Sequence, residues 1–206
     1  SALWYIATSN VLANFDSYYV GKNYYLYLGQ RDPRFHVVPW DLGLSFGLFG
    51  LQNADRALFE DGDPDQWPAP PEDPGASSAK ADPFLQSTQR NRPLVRRLLA
   101  VPAYRADYVA HYRALLDEVF TRDWVGEVGT RYQALVRDAA RDEQASQGRI
   151  SGAFTFDQFV ANLTTDLAGV GRPGGLMGGG APGILALVDE RRAFLGGLEE
   201  LYPPDL

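Results

Sequence analysis

The sequence predicts an α+β fold, mainly helical, with one short β-hairpin placed early in the chain. Residues 23–28 and 35–40 are dense in tyrosine and β-branched or aromatic residues, and they flank a Gly-Gln-Arg-Asp-Pro turn at 29–33. From residue 93 onward the apolar residues recur at helical spacing between capping residues. The chain has 206 residues, enough for one sizeable core, and 1–206 reads as one domain.

Residues 2–13 predict a helix, with Leu3, Ile6, Ala7 and Val11 on one face. The strand pair follows, and Pro39, which cannot donate to a ladder, marks a strand end or an edge. From 51 to 92 the pattern dissolves. Seven prolines between Pro64 and Pro93 make 51–92 a long Pro/Asp-rich surface loop. Pro93 opens a short helix to Leu99, and 103–120 carries Tyr104, Tyr108, Tyr112, Leu115, Leu116 and Val119 on a stripe. Thr121 caps a helix over about 123–143, and Thr155 with Gln158 has capping-box spacing. The eight glycines from Gly169 to Gly183 follow no strand-like run and lack phosphate-loop spacing, so they read as a flexible connector. A last helix over 184–201 buries Ile184, Leu187, Val188, Leu195 and Leu198.

Composition narrows the function classes. An apolar content of 45% is too high for a disordered chain. A net charge of -7 argues against nucleic acid or an anionic membrane as the main partner. The absence of cysteine excludes disulfides, zinc-thiolate sites and a cysteine nucleophile. No apolar run has the length of a membrane span, and no signal peptide is visible. The chain begins at Ser1 and its single methionine is Met177, so it reads as a piece of a longer protein, truncated upstream.

The chemistry concentrates at the hairpin. Asp16 in Asn14-Phe15-Asp16 precedes it, Lys22 and Asn23 open it, and Asp41 in Trp40-Asp41-Leu42-Gly43 closes it. Two carboxylates and an amide at one end of a strand pair can converge on a metal-bound phosphate, because Mg²⁺ takes hard oxygen ligands and keeps phosphate oxygens among them. The order Asp, then Asn, then Asp-x-Gly after a hairpin is that of protein kinases. The interval of seven residues from Asp16 to Asn23 is longer than in their H-R-D-x-x-x-x-N loop.

These segments resemble the CotH family, the spore-coat protein H-like atypical kinases. The resemblance rests on Asn14-Phe15-Asp16, Lys22-Asn23-Tyr24-Tyr25-Leu26-Tyr27 and Pro39-Trp40-Asp41-Leu42-Gly43-Leu44-Ser45-Phe46-Gly47, and its motifs cover residues 10–47. It implies a protein-kinase-like C-terminal lobe with the hairpin at its active site. By this resemblance Asp16 is the catalytic-loop aspartate, and Asn23 and Asp41 hold Mg²⁺ and with it the ATP substrate. Lys22 is placed for a γ-phosphate contact, though a solvated lysine accounts for it equally. The implied partner is a protein with Ser/Thr acceptors. A spore-coat, cell-envelope or extracellular setting is implied by the family alone. Family members commonly carry a second aspartate where this chain has Gly43. No glycine-rich nucleotide lid or strand lysine precedes the motif, so an N-terminal lobe of the same protein is the expected partner and this piece alone is expected to be inactive.

Two competing readings follow from the same residues: a non-catalytic binding module on a degenerate kinase scaffold, and a hydrolase using Asp16 and Asp41 as an acid/base pair. Tyr24, Tyr25 and Tyr27 read as packing groups. His36 and His111 have no partner at metal-ligand spacing. Asp61, Asp63, Asp65 and Glu72 match positions of a calcium loop, but Gln66 stands where its glycine belongs, so a solvated acidic loop is expected.

Overall fold

A computed structural model describes residues 2–51, 78–170 and 180–203 of the chain. Helix α1 spans Ala2–Val11 and buries Leu3, Ile6, Ala7 and Val11, the face its periodicity gives. Its C-terminus closes with the Asn14 N–H donating to Ser9 O at 2.8 Å and the Ala13 N–H to Asn10 O at 3.0 Å, with Ala13 left-handed at φ 46. That six-to-one and five-to-two pair ends the helix and turns the chain toward Asp16.

Strands β1 (Tyr24–Leu28) and β2 (Phe35–Pro39) pair antiparallel, with Tyr24 opposite Pro39 and Leu28 opposite Phe35. Pro39 ends β2, as its missing donor requires. Gly29 is needed in the turn, since a Cβ there would lie 2.3 Å from Asp32 O. Tyr24 packs inward against the rings of Tyr5 and Tyr18. Tyr25 and Tyr27, expected to pack, are instead 63% and 55% exposed, because beyond Tyr24 the helices leave the hairpin uncovered on both faces, with Leu26 and Leu28 exposed too.

Helix α2 (Pro93–Leu99) has its proline in the first turn. Helix α3 (Pro102–Ala114) widens into a π-helical turn over Leu115–Val119 and buries Tyr108, Tyr112 and Leu116; Tyr104 lies outside the buried stripe. Helix α4 (Arg122–Gln147) starts where the Thr121 hydroxyl accepts from the Trp124 N–H, and runs beyond its expected end to a left-handed Gly148. Helix α5 (Phe156–Ala161) carries the complete Thr155–Gln158 capping box. Strands β3 (Leu167–Ala168) and β4 (Gly180–Ala181) pair across the glycine-rich segment, so a short strand does precede those glycines. Helix α6 (Ile184–Gly196) ends five residues before Leu201, and a following turn buries Leu201. The result is mainly helical with two small antiparallel sheets, compatible with the α+β expectation.

Helix α1 lies against α3, where Trp4 stacks on His111 with centroids 4.0 Å apart, and α4 lies against α5 and α6. Residues 78–92 depart from the surface-loop expectation for 51–92. Ser78, Ala79, Ala81, Phe84, Gln86 and Arg92 are buried, because their backbone and side chains bond to α1, α6 and the loop after α1. Residues 52–77, with Asp61, Asp63, Asp65 and Glu72, lie outside the described residues. No described helix is long and apolar enough to cross a membrane.

Candidate active site

Asp16 leaves α1 into a buried loop and is 3% exposed. The loop is fixed from several sides. The Ser17 hydroxyl donates to Asn14 O at 2.7 Å, the Tyr18 N–H to the Tyr5 hydroxyl at 3.2 Å, and Tyr19 O accepts from Gln86 Nε2 and Arg92 Nε. The Tyr18 hydroxyl accepts from the Leu94 N–H, filling one of the open donors at the start of α2. A 3-10 turn over Tyr18–Val20 and a left-handed Gly21 then reverse the chain, and the Lys22 N–H donates to Ser17 O at 3.1 Å. That turn takes up the long interval between Asp16 and Asn23 and brings the two together.

Lys22 Nζ lies 2.8 Å from Asp16 Oδ1. Asn23 Nδ2 donates to Asp16 Oδ2 at 3.0 Å and to Asp16 O at 2.7 Å. Two acceptors on one side assign the amide nitrogen there and leave Asn23 Oδ1 facing away, without a hydrogen bond among the described residues. Asp16 caps nothing: its carboxylate is held by an ammonium and an amide rather than by the N–H groups of the following turn. The Lys22 ammonium also stands 5.5 Å from the Phe49 ring centroid.

The Trp40 N–H donates to Asn23 O at 3.1 Å, extending the ladder by one pair. Asp41 is therefore the residue just beyond the position opposite Asn23. Both are left-handed, with φ 60 at Asn23 and φ 52 at Asp41, a conformation that costs a side-chain-bearing residue free energy. Asp41 is exposed, makes no ion pair among the described residues, and does not cap the 3-10 turn Leu42–Leu44 that it precedes. Past that turn the Phe46 N–H donates to Leu12 O at 2.8 Å and the Gly47 N–H to Ala13 O at 3.2 Å, which ties the Asp41 segment to the chain leading into Asp16. Gly47 is required by φ +71 and by Ser78, whose Cβ would lie 3.1 Å from an added methyl. Gly43 has neither constraint; a Cβ there meets nothing within 4 Å.

Strand alternation puts Tyr25 and Tyr27 on one face with Val38 and His36. On that face Tyr25 stacks on Trp40, with centroids 6.0 Å apart and ring planes 22° apart. An exposed aromatic pair thus lies at the end of the hairpin that carries Asn23 and Asp41. Trp40 is 46% exposed and anchors no core.

As a donor set for a divalent cation, Asn23 Oδ1 and the Asp41 carboxylate fit a hard ion. Both are oxygens, both lack protein hydrogen-bond partners among the described residues, and they stand at the same end of the hairpin. No group of three or more His, Cys, Asp or Glu residues among the described residues could hold a metal alone, so water or phosphate oxygens would complete any shell.

Sequence reasoning missed the group that holds this site in place. Arg191 of α6 is fully buried and donates from Nε to Val11 O at 3.0 Å, from Nη1 to Ala79 O at 2.9 Å and Ala81 O at 3.2 Å, and from Nη2 to Asn10 O at 2.8 Å and Asn10 Oδ1 at 2.6 Å. Asn10, fully buried too, also accepts from the Tyr112 hydroxyl at 2.6 Å and donates to the Tyr19 hydroxyl and to Asp82 O. The one available signal was Asn10 itself, an amide set among the apolar residues of α1.

No curated protein and no solved structure matches the chain. The family described as CotH kinase protein matches residues 1–165, well over half of the chain and all of the hairpin site. With the three segments at the hairpin and this match, the chain belongs to the CotH kinase family, and its function is kinase-related.

Proposed function

We propose that this chain is the C-terminal catalytic lobe of a protein kinase that transfers the γ-phosphate of ATP to a Ser or Thr hydroxyl of a surface or coat protein. The observation that carries the reading is the clamp on Asp16, buried and held by Lys22 at 2.8 Å and Asn23 at 3.0 Å beside the hairpin end that carries Asp41.

Asp16 orients the acceptor hydroxyl and takes its proton as the new O–P bond forms and the bond from the γ-phosphorus to the β,γ-bridging oxygen breaks, releasing ADP. A carboxylate has about four lone-pair sites, so Asp16 can accept a hydroxyl while still held by Lys22 and Asn23. The Lys22 ammonium, half exposed at its outer side, faces the charge that gathers on the transferred phosphoryl oxygens. Asn23 Oδ1 and Asp41 are the groups to hold Mg²⁺. Bound there, Mg²⁺ would supply positive charge against the phosphate oxygens. The Tyr25–Trp40 stack offers the nucleobase a flat apolar surface at the same end of the hairpin as Asn23. In this reading a separate N-terminal lobe of the protein grips the α- and β-phosphates. The Lys22 ammonium beside Asp16 favours its carboxylate form, which disfavours the hydrolase alternative wherever Asp16 would serve as the general acid.

The test uses the natural full-length protein with γ-labelled ATP, Mg²⁺ and a Ser/Thr-containing protein substrate. Asp16→Asn and Asp41→Asn should each remove transfer in protein that unfolding curves show to be folded; Asp16→Asn, which leaves Lys22 without its counter-charge, should lower the midpoint, and Asp41→Asn should leave it unchanged. Asp41→Asn should also weaken Mg-nucleotide binding, and Asp16→Asn should not. Equal labelling by wild type and both variants overturns the catalytic reading. No labelling by wild type, with nucleotide still bound, replaces it by a non-catalytic binding module.

A further inference from the structure

Behind the candidate site lies a cavity that the phosphoryl-transfer chemistry does not use. It measures about 340 Å³ and is enclosed by α1, the π-helical turn after α3, α4 and the start of α6. Val11, Leu12, Leu115, Val119, Phe120 and Val128 are among its walls, and Thr8 is the one polar residue in the lining. Its shape has a local cause. The π-helical turn is wider than an α-turn and supplies Leu115 and Val119 to its wall. An apolar cavity of roughly 150 Å³ stays dry and admits benzene, so one of this size has room for about a dozen carbon atoms.

The mouth adds a direction. Trp124 and Tyr132 line it and are 47% and 55% exposed, and the same side of α4 continues outward through exposed Leu135 and Val136. The guanidinium of Arg131 lies 5.5 Å from the centroid of the Tyr132 ring, at that rim. Arg131 is exposed and makes no ion pair among the described residues; Glu127, one turn earlier, is exposed as well. An apolar chamber with an exposed guanidinium at its rim calls for a tail and an anionic head.

We infer that this cavity is a binding site for a single-chain anionic amphiphile, a fatty-acid carboxylate of about a dozen carbons, with its tail in the chamber and its head at Arg131. The site does not rest on the phosphoryl-transfer reading. It adjoins that site physically. Leu12 and Phe46 both line the cavity, and the Phe46 N–H donates to Leu12 O at 2.8 Å, beside the Gly47-to-Ala13 bond that joins the Asp41 segment to the Asp16 loop. An occupant therefore touches both strands of chain that carry the candidate acid groups, and steadies the bonds between them.

The test is calorimetric titration of the full chain with dodecanoate, below its micelle concentration, alongside uncharged 1-dodecanol. Saturable one-to-one binding of both is expected. Val128→Trp, which fills the chamber, should weaken both by more than about tenfold. Val119→Phe serves if the unfolding midpoint shows that Val128→Trp has not folded. Arg131→Gln should weaken dodecanoate about two- to fivefold, the range of an exposed ion pair, and leave 1-dodecanol unchanged. Leu135→Ser, outside the chamber, should change neither. At ten times the dissociation constant, amide exchange at Phe46 and Gly47 should slow by about tenfold if opening expels the ligand. No saturable binding by wild type, or binding that Leu135→Ser removes and chamber-filling spares, overturns the site. An equal effect of Arg131→Gln on acid and alcohol overturns the carboxylate assignment, and unchanged exchange at Phe46 and Gly47 overturns the link to the candidate active site.

Discussion

Replacing Arg191 by methionine should destabilise the chain by about 3–5 kcal/mol, the cost of orphaning several buried carbonyls less the relief from burying the guanidinium. The magnitude follows from the acceptors. Methionine keeps most of the aliphatic volume, so packing loss is the smaller effect. Val11 O, Ala79 O and Ala81 O accept from Arg191 and from no other donor in the described structure, so all three would be buried and empty-handed. Each orphaned carbonyl costs about 1–3 kcal/mol, and relief from burying the guanidinium offsets part of that sum. Asn10 loses less, because its side-chain oxygen keeps the Tyr112 hydroxyl and its carbonyl keeps the Ala13 N–H. For a chain near 200 residues, about 2–4 °C per kcal/mol converts the loss to a fall of about 6–20 °C in unfolding midpoint. Urea and thermal unfolding of the full chain measure it. Arg191→Lys should fall between, since an ammonium keeps the charge at the C-terminus of α1 but has three donors for this spread of carbonyls. A loss below about 1 kcal/mol in Arg191→Met would refute the reasoning, because it would mean that the carbonyls find water or that the arginine's burial cost cancels its bonds.

Burial pushes the Tyr112 hydroxyl up from 10.0 to about 12, against the lowering effect of nearby Arg191, and Tyr19 and Tyr108 are raised as well. A raised folded value means the folded state keeps a proton the unfolded chain has lost. Stability from Tyr112 is therefore full below pH 10 and lost as pH rises to about 12, by about 2–3 kcal/mol. Alkaline unfolding of Tyr112→Phe should show a shallower slope across that window. Gly43→Asp should leave stability within about 0.5 kcal/mol of wild type, because a side chain there meets open space, and should strengthen Mg²⁺ binding by titration calorimetry. Asp41→Gly should hold or raise the unfolding midpoint, by up to about 1 kcal/mol from the left-handed backbone, while Mg-nucleotide binding is lost; a clear drop in midpoint would make Asp41 a structural residue.

The parts legible in the sequence are those written in local chemistry. Thr121 and the Thr155–Gln158 box begin helices where short-range hydrogen bonding dictates, and Pro39 ends its strand for want of an N–H. The hairpin is local too, so its end residues were foreseeable as neighbours. The buried scaffold was not, because Arg191 meets Asn10 across 181 residues and no periodicity records that. The same long-range bonding explains residues 78–92. Their Pro-rich setting reads as a loop, yet the carbonyls of Ala79 and Ala81 are what the arginine needs, and they are drawn inside. Strands of two residues, like β3 and β4, are too short to show alternation at all. The tyrosines of β1 read as core because aromatics usually are. Only tertiary packing reveals that Tyr24 alone of the three turns toward the helices.

The two carboxylates at the hairpin are held by different means, and that difference bears on how the site works. Asp16 is fixed by its surroundings: it is buried, held by Lys22 and Asn23, and carried on a loop that Tyr5, Gln86 and Arg92 pin. Asp41 is exposed, and its own carboxylate bonds to nothing among the described residues; its position comes from the ladder bond at Trp40 and from the Phe46 and Gly47 anchors farther on. A hairpin needing only a turn-off at this end would favour glycine or an unstrained backbone, yet Asn23 and Asp41 both adopt left-handed conformations while carrying oxygen-bearing side chains. Strain kept at two cross-strand neighbours, each with an unclaimed oxygen, is a cost that folding does not require and a bound cation would offset. Order at Asp41 should therefore be completed by the ligand, whereas order at Asp16 is built in. On the proposed reading, the proton-accepting group is ready before the nucleotide arrives, and the metal-holding group is set by it.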